Sequence, residues 1–259
     1  MPGQEKRQMK LNVRSDDLDF GTNILNIEVP KKLRNKIKSG IEYIDGAMGG
    51  EGFTPSAVTF FTGTPGSGKT TMMLALADSL TKLGAICVFN TAEESLFQIK
   101  MVAERLKLSA GFVAGQENHV PTLLEKCDTL RAKHGNKNKP FFLIIDSLQC
   151  MDDGKYGNGH TNSKTPERSL QLITDYCKEH FVNAIIIGQV NKSGVMAGTN
   201  KLKHMVDSMM ELTVETRDPD LAGCRVLRTT KNRFGGCGHT FFLGLSSTGF
   251  TEVARVSAA

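Results

Sequence analysis

The stretch "GTPGSGKT", residues 63–70, limits what this chain can fold into more than any other. It matches the pattern G-x-x-x-x-G-K-[ST] in full. Gly63, Gly66 and Gly68, with Thr64, Pro65 and Ser67 between them, let backbone N–H groups turn inward and cradle an anion. The flanks supply the context this loop needs. "SAVTFFTG" before it is apolar and β-branched and reads as a buried strand. "KTTMMLALADSLTKLG" after it has apolar residues at helical spacing and ends in Gly84. Strand, glycine loop and helix together aim N–H groups and a helix dipole at phosphates. Lys69 is expected on the β and γ phosphates, the Thr70 hydroxyl on Mg²⁺ and Thr71 at the α-phosphate. The expected cofactors are ATP and Mg²⁺.

A second strand, "FFLIIDS", delivers Asp146 to the end of an apolar run. A buried carboxylate is costly without a cation, so Asp146 is expected to hold the metal, directly or through water; an N-cap role is the alternative. In "FNTAEES", Glu93 is the candidate for orienting or deprotonating water and Glu94 the second choice. Acids at a helix N-terminus are also common for the dipole alone.

The remaining pattern alternates. "AICVFNT" and "NAIIIGQV" read as strands, and "ESLFQIKMVAERLKL", "PTLLEKCDTLRAKHG" and "PERSLQLITDYCKEH" as helices. "SMMELTVE", "CRVLRTTKNR" and "HTFFLGL" read as antiparallel strands at one edge. The fold class is therefore α/β, a mostly parallel central sheet with helices on both faces. Residues 1–33 read as an arm or extension and 34–259 as one core. Two Gly/Asn/Lys-rich stretches, 149–165 and 191–204, follow strands directly, where open α/β sheets bind ligands.

The net charge of +5 fits a nucleic-acid partner without requiring one. "KKLRNKIK", residues 31–38, reads as a solvated linker or helix face rather than a nucleic-acid patch. The six cysteines form no C-x-x-C pair and read as reduced packing residues. No window is apolar enough to span a membrane, and the start lacks a signal-peptide core, so a cytoplasmic protein is expected.

Six segments in order carry a resemblance: "SGIEYIDGAMGG", the phosphate loop, "AEESLFQIKMVAERL", "IIDSLQ", "GQVNKSGVMAGTNKLKHMVDS" and "KNRFG". Over roughly residues 34–254 the chain resembles the ATPase core of the RadA (Sms) recombination proteins, within the RecA and DnaB-helicase superfamily. That resemblance implies a RecA-like P-loop fold, assembly of like chains into a hexameric ring or filament, ATP between neighbours, and single-stranded DNA binding that drives branch migration. A RecA-type recombinase is an implied partner. Glu93 falls on the superfamily's catalytic glutamate and Gln189 on a position that senses the γ-phosphate, where RadA proteins more often carry His. The two Gly/Asn/Lys stretches fall on DNA-binding loops, with Lys192, Lys201 and Lys203 as candidates. Lys231 and Arg233 in "TTKNRFGGCG" are two apart, which on a strand puts both on one face, at the tip of a last hairpin expected to turn at Gly235-Gly236. They read either as a solvated pair or as cations reaching a neighbour's γ-phosphate, Arg233 as an arginine finger. The zinc module and Lon-like domain of RadA proteins have no counterpart here, so a stand-alone core is expected. A DnaB-like helicase core and a KaiC-like regulatory ATPase remain as alternatives.

Overall fold

The computed structural model describes residues 21–134, 139–189 and 200–257. The first half runs α1 (Lys31–Arg34), α2 (Glu42–Ala47), β1 (Val58–Gly63), α3 (Lys69–Lys82), β2 (Ile86–Thr91), α4 (Leu96–Arg105) and β3 (Val113–Gly115). Then follow α5 (Val120–Lys133), β4 (Phe141–Asp146), α6 (Thr165–His180), β5 (Asn183–Gln189) and α7 (Asn200–Met205). The chain ends with β6 (Ser208–Val214), β7 (Arg225–Asn232), β8 (Thr240–Ser246) and β9 (Gly249–Val256). The described strands form one sheet in the order β3-β2-β4-β5-β1-β6-β7-β8-β9. The six from β3 to β6 in that order are parallel and the last three antiparallel, as the α/β reading expects.

Alternation along the central strands builds two cores. Phe61, Phe142 and Ile144 pack with Met72, Leu76 and Leu80 of α3 on one face. Phe60, Leu143 and Ile145 pack with Leu123 of α5 and Leu170 and Ile173 of α6 on the other. Both faces are covered, so these strands are buried on both sides and mostly apolar. Burying one such phenylalanine contributes about 1.5–3 kcal/mol. Among the described residues no helix is long and apolar enough to cross a membrane.

Four details depart from the sequence reading. β6 runs parallel to β1 and only its other edge is antiparallel, because α7 returns the chain to the same end of the sheet. β3 is three residues long and half-exposed, so it leaves no apolar run to detect. β9 is the true edge strand, with most of its side chains exposed; the final hairpin is β8–β9, and seven residues rather than a tight turn join β7 to β8. Of the cysteines, Cys87, Cys127 and Cys177 are buried packing residues, but Cys150 and Cys237 are exposed.

One buried charge ties α3 into the sheet's flank. Asp78 accepts from the backbone N–H groups of Ser109 (3.0 Å) and Ala110 (2.7 Å) and pairs with Lys82 at 2.7 Å. Burial alone would raise its carboxyl, but these bonds outweigh it and hold the group below its ordinary range. The folded group thus titrates below the unfolded one, so its contribution is present above the unfolded pKa and is lost as pH falls through the folded value. Asp78→Ala is expected to cost about 1–3 kcal/mol at neutral pH, because it removes the acceptor of two part-buried N–H groups and the partner of Lys82. In urea unfolding the gap to the parent should narrow from about pH 6 to about pH 3. An equal gap at both ends would contradict the assignment.

Candidate nucleotide-binding site

β1 ends at Gly63, and the loop that follows is closed by Ser67 N–H donating to the Thr64 carbonyl at 3.2 Å. Gly68 is the N-cap of α3 with φ +99°, a left-handed conformation that suits glycine. A Cβ there would also lie 2.8 Å from the Phe250 ring and 3.1 Å from Leu245 Cδ2. The β8–β9 hairpin therefore packs directly beneath the phosphate loop, which the sequence reading missed. The first N–H groups of α3 have no partners within the helix and face an anion site. Thr64 Oγ1 and Ser67 Oγ are buried without a hydrogen-bond partner among the described residues.

Lys69 Nζ donates to the carbonyls of Gly63 and Thr64, both at 3.0 Å. Burial lowers its pKa, while the charges of Asp146 and Glu93 act in the opposite sense. Thr70 Oγ1 donates to Asp146 Oδ2 at 2.6 Å. Asp146 is 9% exposed, and burial raises its carboxyl above the ordinary range. The Thr70 hydrogen bond lowers it, the nearby Glu93 and Glu94 charges add to the rise, and Lys69 counters them. Asp146 pairs in register with Thr91 at the end of β2, and Ala92 N–H donates to the Asp146 carbonyl at 2.7 Å. That register sets Glu93 beside the metal candidates. Ser147 Oγ donates to Glu93 Oε1, and Cys150 Sγ lies 3.5 Å from the same oxygen. Glu94 is held by its backbone instead: its N–H donates to Thr91 Oγ1, which donates back to its carbonyl, both at 2.9 Å.

A hydroxyl, a carboxylate, an ammonium and a helix N-terminus suit a phosphate chain with a hard divalent cation. Among the described residues no group of three or more His, Cys, Asp or Glu side chains could hold a metal. A cation bound through one carboxylate would complete its shell with phosphate and water oxygens, the usual habit of Mg²⁺.

Arg105 is a second missed residue. Its Nη1 donates to the Ser247 carbonyl at 2.7 Å in the β8–β9 turn, and its Nη2 lies 3.5 Å from Thr71 Oγ1. The signal that could have found it is the S-x-x-Q capping box of Ser95 and Gln98, which starts α4 and fixes where its last turn falls.

The other expected site residues fall elsewhere. Gln189 ends β5 opposite Gly63 in register. Lys192 lies outside the described residues. Lys201 pairs with Glu167 at 2.5 Å, and Lys203 is exposed. Lys231 and Arg233 come together, but not at this end of the sheet. Lys231 Nζ donates to the carbonyls of Lys203 (2.8 Å) and Val206 (2.7 Å). Burial, then the neighbouring Arg233 charge, lowers its pKa. Arg233 Nη1 donates to Asp207 Oδ1 at 3.3 Å. Asp207 also accepts from Lys178 Nζ (2.6 Å) and from the N–H of Val58 (3.0 Å), the first residue of β1. The phosphate loop leaves the last residue of β1, about 17 Å further along the strand.

A family model described as "ATPase: KaiC" matches residues 37–113. The DNA repair protein RadA of Aquifex aeolicus is 29% identical over 229 residues, covering 88% of this chain and 48% of that protein. RadA of Streptococcus pneumoniae is 30% identical over 225 residues, covering 86% and 50%. The chain thus spans about half the length of the curated relatives it matches. Among solved structures, the ATPase domain of G40P superposes with a TM-score of 0.70 at 15% identity, over 85% of this chain and 92% of that one. The chain therefore carries a RecA-like P-loop ATPase core, similar to the corresponding part of RadA proteins.

Gly68→Ala is expected to lower stability by about 1–3 kcal/mol through backbone strain, and to abolish binding of a fluorescent ATP analogue. Affinity equal to the parent's would contradict the tight fit between Gly68 and Phe250.

Proposed function

We propose that this chain is the core of an ATP-dependent motor acting on single-stranded DNA in recombination or branch migration. Residues 34–259 act as that core, with 1–33 as an extension, in the cytoplasm. The observation that carries the reading is the hydrogen bond from Ser147 to Glu93. Ser147 heads the 149–165 loop, so the carboxylate best situated to handle water is bonded to the start of a candidate DNA loop. A change in that loop on binding DNA would alter the orientation of Glu93.

In this reading Lys69 holds the β and γ phosphates of ATP, Thr71 meets the α-phosphate, and Thr70 with Asp146 holds Mg²⁺. When bound, Mg²⁺ neutralises charge on the phosphates. Glu93 orients the attacking water and accepts its proton. Gln189, opposite Gly63, is the candidate sensor of the γ-phosphate. Lys192, Lys201 and Lys203 meet DNA phosphates; Lys201 is held by Glu167 and would exchange that carboxylate for DNA.

Lys231 and Arg233 serve a neighbour. The length of β1 separates the Asp207 anchor of Arg233 from the chain's own phosphate loop, which supports action in trans within a ring or filament. Arg233 is half-exposed and acts as the finger, its planar fork matching phosphate oxygens. Lys231 adds a second charge. A trans arginine contributes about 10³–10⁵ in rate in other NTPases. A regulatory ATPase of the KaiC kind shares the same site. Strong stimulation of hydrolysis by single-stranded DNA is expected for the motor, and indifference to DNA would favour the regulator. Strand displacement on a forked DNA would favour a DnaB-like helicase core.

Two further outcomes test the roles. Glu93→Gln should keep ATP binding and slow turnover by about two or more orders of magnitude; the same loss in Glu94→Gln instead would move the role by one residue. Arg233→Ala and Lys69→Ala should each be nearly inactive alone and regain activity when mixed with DNA and ATP. A mixture that co-assembles yet stays inactive would return Arg233 to a role within its own subunit.

A further inference from the structure

The opposite end of the sheet carries a feature that the nucleotide site does not use. An open groove of roughly 900 Å³ runs across the starts of β2, β4 and β5. Its walls bring together Lys32, Lys36 and Lys38 from the 31–38 segment, Arg131 from α5, Lys139 and His180. The acid in the lining, Asp128, is already committed: it accepts from Arg131 at 2.9 Å and from the Tyr176 hydroxyl at 2.8 Å.

Three helices, α3, α5 and α6, end at this groove, and their terminal carbonyls favour cations. That accounts for Arg131, which also donates to the His180 carbonyl at 3.4 Å. Lys36 lies 3.6 Å from Glu51. Neither explanation covers Lys32, Lys38 and Lys139, which have no hydrogen bond or ion pair with the described residues. Beside these cations the groove presents apolar surface. Leu83 is 60% exposed, and Phe181 is 40% exposed on a left-handed C-cap with φ +54°.

We propose that this groove binds single-stranded nucleic acid, as a second surface apart from the candidate loops at the other end of the sheet. The uncommitted cations come from two segments, Lys32 and Lys38 from 31–38 and Lys139 from the approach to β4, and line one open groove, so they suit a repeating charge rather than a single carboxylate. Lysines act as mobile point charges and follow a phosphate backbone without reading sequence. An exposed ring among them offers a base a stacking face, the usual pairing at single-strand sites. The 31–38 run is thus one wall of a basic groove, not an isolated solvated face. The inference does not rest on the motor reading, because no residue of the nucleotide site lines the groove.

The test uses the full chain and a fluorescein-labelled oligo-dT of about 20 nucleotides, longer than one typical single-strand site. Lys32→Ala/Lys38→Ala/Lys139→Ala should weaken binding and flatten the slope of log affinity against log salt by about 0.7 per contact, or about 2 in all. The same flattening should appear on a Lys201→Ala/Lys203→Ala background, which separates the groove from the loop. Phe181→Ala should weaken binding with the salt slope unchanged, since stacking releases no counterions. Thermal unfolding of each variant checks that the fold is kept. Affinity and slope equal to the parent's in the folded triple variant would overturn the proposal. Poly-glutamate of matched charge displacing the DNA from the loop-variant protein as well as unlabelled oligo-dT would also overturn it, and would assign the groove to an acidic polypeptide.

Discussion

The hydrogen bond from Thr70 to Asp146, 2.6 Å long, joins the first turn of α3 to the end of β4. Much of the site's geometry depends on that junction. Asp146 is buried in a setting that resists its charge, so its tolerated state needs donors and cations close by. Thr70 supplies the donor and Lys69 a nearby charge. The register of β4 against β2 then fixes Ala92 on the Asp146 carbonyl and sets Glu93 at the mouth of the site. A carboxylate unfavourable in isolation becomes the point around which hydroxyl, ammonium and glutamate are arranged. This is the pattern expected where local instability is kept for function.

A second buried carboxylate organises the other end of β1. Asp207 is 2% exposed and accepts from Lys178, Arg233 and the Val58 backbone. It joins α6, the start of β1 and the segment after β7, and it holds Arg233 with its guanidinium half-exposed. The phosphate loop and the Asp207 anchor of Arg233 therefore lie at opposite ends of β1, about 17 Å apart along the strand. That separation makes an assembled site the natural reading of the two cations.

The sequence made some parts of this molecule legible and hid others for physical reasons. Apolar strands such as "FFLIIDS" bury both faces, so their composition alone marks them as central. The glycines of the phosphate loop were readable because Gly66 and Gly68 adopt positive φ, which most side chains avoid. The direction of β6 was not readable, since strand composition carries no sign of parallel or antiparallel pairing. The capping box of Ser95 and Gln98 marks where α4 ends at Arg105, but the β8–β9 partners of Arg105 and of Gly68 lie more than 100 residues away, and nothing local announces those contacts. The basic groove escaped for the same reason: Lys139 lies more than 100 residues from Lys32 and Lys38, and only the fold brings it beside them.

In the proposed motor, hydrolysis requires a neighbour's cations at each phosphate loop. Turnover per chain, measured with saturating ATP and single-stranded DNA over a dilution series, tests it most directly when assembly is followed in the same samples by mass photometry. Turnover per chain is expected to fall in step with the assembled fraction and to reach near zero for single chains. Turnover per chain that stays constant while the assemblies dissociate would contradict it.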